Sequence, residues 1–164
     1  MTPFLVWLES TALSIWVRES PSVFAFPIIL SCHTIGMGIV AGTSAAMDLR
    51  ILGAAPGVPL SEMRRFFTFL WFGFWLNAAS GVVLLIGYPT KALTNPVFYT
   101  KLLFVVFGVI TQRWIERSVL TEAAAAGGVT RAGRRAAWLS LFCWATVITA
   151  GRLLAYTYNT LMST

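Results

Sequence analysis

Three ionisable side chains stand where the chain is otherwise apolar. His33 is the sole histidine among 164 residues. It lies in the run Ser22 to Gly53, SVFAFPIILSCHTIGMGIVAGTSAAMDLRILG, which carries no formal charge between Val23 and Met47. Lys101 and Arg152 interrupt two later apolar runs. An ionisable group within a membrane-spanning segment is costly and points to a ligand, a relay or a partner. A neutral imidazole can coordinate a metal, and a lysine or arginine can pair with a carboxylate. Together these residues match the needs of haem: iron takes the histidine, and propionates take the cations. The plainer alternative for His33 is a hydrogen bond that packs one helix on another.

Other chemistries find less support. Cys32, His33 and Met37 include soft copper ligands, but adjacent residues on a helix point apart. Met37 lies one turn from His33 on the same helix and cannot oppose it across a haem, and Met47 and Met63 read as packing residues. Cys32 and Cys143 lack metal-type spacing and read as buried free thiols. Neither a nucleophile triad, paired acidic residues in a span, a Gly-rich phosphate loop nor a broken-helix repeat is recognisable, which disfavours hydrolase and ordinary transporter chemistry.

The elements that must position these residues are membrane helices. Hydrophobic residues make up 57% of the chain and charged residues 11%, with a mean hydropathy of +0.76. That balance is far from a soluble domain. The expected fold is all-α: an integral membrane four-helix bundle over residues 21–164, preceded by an interfacial amphipathic helix over 1–20. About 20 apolar residues cross the hydrocarbon layer, and four spans of that order are expected, near 22–50, 65–88, 96–119 and 136–158. No secretory signal is expected at the start, because Glu9 interrupts the first apolar stretch and no Lys or Arg precedes it.

In the first twenty residues Thr2 is the expected cap, with Pro3 in the first turn. Leu5, Leu8, Ala12, Ile15 and Trp16 share one side, and Ser10, Ser14 and Arg18 another. With Trp7 and Trp16 this reads as a helix in the membrane interface, or as a helix docked on a partner. Pro27 sits in the first turns of span one and is positioned to kink it. Gly38, Gly42 and Ala46 form a small-residue ridge suited to close helix approach, or to the flat wall of a planar ligand. Ala54 to Leu60 is the first loop, and Ser61 is the expected cap of span two.

Phe66, Phe67, Phe69, Trp71, Phe72, Phe74 and Trp75 are too evenly spread to form one stacking face, so lipid contact and packing account for them. Gly73, Asn77 and Gly81 recur every four residues, giving span two a narrow side with an amide suited to an interhelical hydrogen bond. Pro89 to Thr94 is the second loop, and Asn95-Pro96 caps span three. Lys101, Gly108 and Gln112 fall on one stripe of that span, which should face protein. Its helix is expected to run on through the alanines at 123–126 and to stop at Gly127-Gly128. In span four Ala145, Thr149, Arg152 and Tyr156 share a face, and Tyr156 and Tyr158 suit the membrane interface.

Charge sets orientation. Arg50, Arg64, Arg65, Arg113, Arg117, Arg131, Arg134 and Arg135 flank the first and third loops, against Arg18 and Lys91 on the other side. By the positive-inside rule those loops are cytoplasmic and both termini periplasmic, in a bacterial inner membrane. The basic residues lie beside spans, so the net charge of +6 reflects topology and not nucleic-acid binding. Counted from Ser22, Pro96 and Tyr158 at 1.5 Å per residue, His33, Lys101 and Arg152 sit about 16, 8 and 9 Å from the outer ends, all in the outer half.

The pattern H-T-I-G-M-G-I-V-A-G at 33–42, D-L-R at 48–50 and N-P-x-x-x-x-K at 95–101 resembles a family of four-helix bacterial membrane proteins. It is more distantly similar to the copper-resistance protein D superfamily and to the small membrane protoporphyrinogen oxidases. The resemblance implies haem b held by His33, with Lys101 contributing to haem binding and activity. It covers most of the chain from Ser22 onward, and does not account for Arg152 or the N-terminal helix. Two function classes stand open. One is a haem redox protein exchanging electrons with a periplasmic partner or quinone, or oxidising a porphyrin. The other is a membrane subunit or anchor associating with other subunits or as a homo-oligomer.

Overall fold

The computed structural model describes residues 3–121 and 128–161, and these are helical throughout apart from short connections. Thr2, the alanines at 123–126, Gly127 and the Tyr158 side chain lie outside what it describes. Among the described residues the α-helices are, in order, α1 Pro3–Glu9, α2 Ala12–Glu19, α3 Phe26–Leu52, α4 Met63–Gly87, α5 Pro89–Leu93, α6 Pro96–Trp114 and α7 Arg131–Leu161. The all-α four-helix expectation holds: α3, α4, α6 with its continuation to Val119, and α7 are each long and apolar enough to cross a membrane.

The helices begin and end for local reasons. Pro27 falls in the first turn of α3, where its missing N–H costs no intrahelical hydrogen bond. Gly53 ends α3 at φ 112°, a left-handed conformation open to glycine, and Ala54 N–H then reaches Leu49 O at 2.9 Å. Ser61 does not cap α4, because a short 3-10 turn at Leu60–Glu62 leads directly into it. The second loop is not fully irregular either, since Pro89–Leu93 forms one helical turn and a half. Asn95 caps α6 as expected, its side chain accepting from Val97 N–H at 2.9 Å. Past Trp114 the helix widens into a π turn over Ile115–Val119.

The four spans run alternately up and down, with α3 packed on α4 and α7, and α6 packed on α7. We call the end carrying Phe26, Gly87 and Pro96 the upper end, and the end carrying Leu52, Met63 and Arg131 the lower. A lower apolar core joins Met47, Ile51, Met63, Phe67, Leu70, Ile115 and Val119. A second apolar layer at mid-height centres on Val40, Trp144 and Val147. Arg113 stacks over the Trp71 ring at 3.7 Å and pairs with Glu116, which also accepts from Trp71 Nε1. Phe69, Phe72 and Trp75 project outward, while Phe67 is buried, so the aromatic run divides between lipid face and core.

Two corrections concern packing. Residues 3–19 form two helices, broken at Ser10-Thr11, where Thr11 accepts from Ser14 N–H. Their buried face is Leu5, Ser14 and Val17, whereas Ile15 and Trp16 are exposed. Ser14 turns inward because its hydroxyl reaches Gly87 O at 3.4 Å, and Val17 fills the space left by the missing Gly87 side chain. The Gly38, Gly42 and Ala46 ridge meets no neighbour among the described residues: Ala46 is exposed, and a Cβ added at either glycine would meet nothing within 4 Å. The close crossing of α3 on α4 instead lies at Gly36, where a Cβ would come within 2.7 Å of Asn77 N, and at Gly73.

Candidate functional site in the upper half of the bundle

The narrow side of α4 makes the site possible. Gly36 and Gly73 bring two backbones together, and Asn77 follows one turn beyond Gly73. Asn77 Nδ2 donates to His33 O at 2.7 Å, the interhelical bond expected of this amide. The exchange is reciprocal, for His33 Nδ1 lies 2.9 Å from Asn77 O. A carbonyl oxygen only accepts, so Nδ1 carries the proton and Nε2 the lone pair. Ser80 Oγ stands 3.3 Å from the same Nδ1, and its own proton goes to Leu76 O at 2.6 Å. Gly81 leaves room for the ring: a Cβ there would be 3.0 Å from His33 Cε1.

Nε2 faces Lys101 Nζ at 3.5 Å, across from α3 to α6. Lys101 in turn extends past Gly151 of α7, whose added Cβ would lie 3.8 Å from Nζ. The two residues meet because α3 starts at Phe26 and not at Ser22. His33 is therefore 33 − 26 = 7 residues from its helix start, about 10 Å, close to the depth of Lys101 at about 8 Å. The third expected partner is not brought in. Arg152 is exposed, on the face of α7 that carries Thr149 and Tyr156, while its neighbour Gly151 faces Lys101. That face also borders an outward-opening apolar groove of about 360 Å³ between α6 and α7, walled by Val97, Thr100, Phe142, Ala145, Thr149 and Leu153.

Chemically, His33 is a pre-oriented nitrogen donor. A ligating histidine characteristically donates its other N–H to a carbonyl or carboxylate, which fixes the tautomer and the ring plane. Asn77 O does so here. Lys101 offers a mobile cation or, when neutral, a second nitrogen facing the first. By its chemistry His33 would be able to hold a haem iron at Nε2, and Lys101 to pair with a propionate, once Lys101 Nζ moves off Nε2. No cluster of three or more His, Cys, Asp or Glu exists among the described residues, so a multidentate metal site built from those side chains has no counterpart there.

Reasoning from sequence missed Ser80 and Gly36, whose roles depend on which face of α4 meets α3. It also missed a second polar centre. Asp48 is fully buried, with Gln112 Nε2 3.5 and 3.4 Å from its two carboxylate oxygens. Gln112 Nε2 also meets Ser140 Oγ at 2.7 Å. The available signal was an acid one turn after Ser44 on span one, together with a glutamine inside span three. Both polar centres are internal to the bundle, separated by the Val40, Trp144 and Val147 layer. No protein-family model matches the chain, and neither does any curated protein or solved structure.

Proposed function

We propose that this is a haem b-binding membrane redox protein, with His33 as the iron ligand and Lys101 beside it. The carrying observation is the His33 ring itself, anchored at Nδ1 by Asn77 O with its Nε2 lone pair facing Lys101 Nζ. Bound haem supplies one-electron chemistry at iron. The chain's own residues orient the ligand through Asn77 and Ser80, leave ring space through Gly81, and provide a cation near the upper membrane surface. Exchange with a quinone or periplasmic partner, and porphyrin oxidation, are the two activities compatible with a site in that half. The resemblance to the copper-resistance protein D superfamily and to the small protoporphyrinogen oxidases favours the same ligand, and arginine bias favours a bacterial inner membrane with periplasmic termini.

The test is the visible spectrum of protein expressed with ample haem. A Soret band that shifts on reduction is expected, and His33→Ala should abolish it, since no other histidine can substitute. Lys101→Ala should lower occupancy or move the potential. Its loss removes a charge-assisted bond of about 1.5–3 kcal/mol. A colourless wild-type protein would overturn the reading.

The second reading, a non-catalytic subunit or anchor, is favoured by one feature: the outward Gly38, Gly42 and Ala46 ridge, which no helix among the described residues covers. Under that reading His33→Ala would leave assembly intact while ridge variants would not.

A further inference from the structure

The lower polar centre is a buried acid without a counter-charge. Asp48 and Gln112 are fully buried, and no ion pair to Asp48 exists among the described residues. Its partners are the Gln112 amide and the Ser140 hydroxyl. N–H···O hydrogen bonds normally span about 2.7–3.2 Å. Here the amide stands at 3.4 and 3.5 Å from the two oxygens. An ionised, unpaired carboxylate in a low-dielectric interior is strongly disfavoured. Something else must neutralise it.

Three buried polar atoms on the helices that carry Asp48, Gln112 and Ser140 bear on what that is. Gln112 Oε1, Ser44 Oγ and Trp144 Nε1 all lack a hydrogen-bond partner. Ser44 lies one turn from Asp48 on α3, Trp144 one turn from Ser140 on α7, and Gln112 bonds both Asp48 and Ser140. Buried orphan polar groups are rare and call for an occupant. With the two carboxylate oxygens, the available acceptors are Ser44 Oγ, Ser140 Oγ and Gln112 Oε1, an all-oxygen set of the kind hard cations choose. Rotating the Gln112 amide by half a turn would aim Oε1 at the carboxylate, an arrangement that a positive charge between them stabilises.

We propose that Asp48, Gln112, Ser140 and Ser44 form an intramembrane site for one small cation, a proton or a sodium ion. Asp48 is 52 − 48 = 4 residues from the end of α3, about 6 Å. Above it lies the Val40, Trp144 and Val147 layer, and below it the buried core of Ile51, Met63, Ile115 and Val119. Few titratable groups surround the site. α7 brings the buried Cys143 thiol one turn from Ser140. α6 brings Arg113 and Glu116, which are engaged with each other and with Trp71. α4 contributes Phe67 and Leu70 to the adjoining core. On α3 itself, Arg50 is turned to the loop carbonyls of Val58 and Pro56. The site shares no residue with His33 and Lys101 and stands whether or not haem is bound.

Purified full-length protein should be followed by infrared spectroscopy and thermal unfolding between about pH 5 and about pH 9, in sodium chloride and in choline chloride. If sodium is the occupant, the thermal midpoint rises with sodium and not with choline. If a proton is the occupant, a carboxylic-acid C=O band is present that disappears in Asp48→Asn, and sodium has no effect. Asp48→Asn mimics the neutral acid and should fold while losing whichever dependence the wild type shows. Gln112→Leu should weaken that dependence, by about tenfold in apparent affinity. An ionised Asp48 throughout the pH range with no response to sodium would overturn the proposal. So would a dependence that persists unchanged in Asp48→Asn. Should that variant fail to fold, the wild-type band and sodium response decide alone.

Discussion

At the scale of the residue, the upper site rests on a reciprocal bond. Asn77 Nδ2 holds the His33 carbonyl, and the Asn77 carbonyl holds the His33 ring. Asn77→Ala removes only the first directly, so it should cost about 0.6–1.7 kcal/mol, the range of interhelical side-chain bonds in membranes, read by unfolding titration in detergent. Gly81→Leu acts differently. Even its Cβ would lie 3.0 Å from His33 Cε1, so the ring must rotate away from Asn77 O. The expected outcome is a haem spectrum altered or lost while the helical circular dichroism is kept. Arg152→Ala should leave both haem occupancy and stability nearly unchanged, because Arg152 is exposed on a different face from Lys101. A loss of haem as large as that of Lys101→Ala would show that Arg152 reaches the site in the loaded protein.

At the scale of the element, two sets of glycines that look alike in sequence have opposite surroundings. Gly36 and Gly73 sit in the α3 and α4 crossing, where an added Cβ at Gly36 would approach Asn77 N at 2.7 Å. Backbone cannot swing aside as a side chain can. Gly36→Ala must separate the helices and should destabilise by about 1–3 kcal/mol, as overpacking does. Gly42→Ala meets nothing within 4 Å and exchanges a poor helix former for a good one. Its expected effect on monomer stability is nil or a gain of about 0.5–1 kcal/mol. Gly42→Leu tests the outward ridge: native mass measurement should show weakened association if another helix lies there, with unfolding of the monomer unaffected. The N-terminal pair α1 and α2 belongs to the same scale. Val17→Ser should loosen α2 from Gly87 and make the region before Phe26 more accessible to protease, because Val17 is fully buried against that glycine.

For the whole molecule, the bundle gathers charge unequally. The eight arginines that flank the first and third loops belong to the lower end, with Arg18, Lys91, Lys101 and Arg152 in the upper half. Reporter fusions after Gly127 and at Thr164 should therefore report cytoplasmic and external locations respectively. Both reporters on one side would overturn the alternation of spans between them. The number and place of the spans were legible in the sequence because hydrocarbon thickness imposes their length. The Asn95-Pro96 cap, the protein-facing stripe of Lys101, Gly108 and Gln112, and the interhelical role of Asn77 were legible too. Each follows from helical periodicity and local hydrogen-bonding chemistry. What periodicity does not contain is the rotation of each helix about its axis and its partner. That rotation turned Ser14 inward and Ile15 outward, set Gly36 and not Gly38 at the crossing, and left Arg152 one residue off the face that Gly151 shares with Lys101. It also assembled Asp48, Gln112 and Ser140 from three separate spans. In a bilayer, hydrophobicity places a helix across the membrane but distinguishes poorly between faces that are all apolar. Which faces meet is decided by close packing and by a few buried polar bonds, and those exist only once the helices are together.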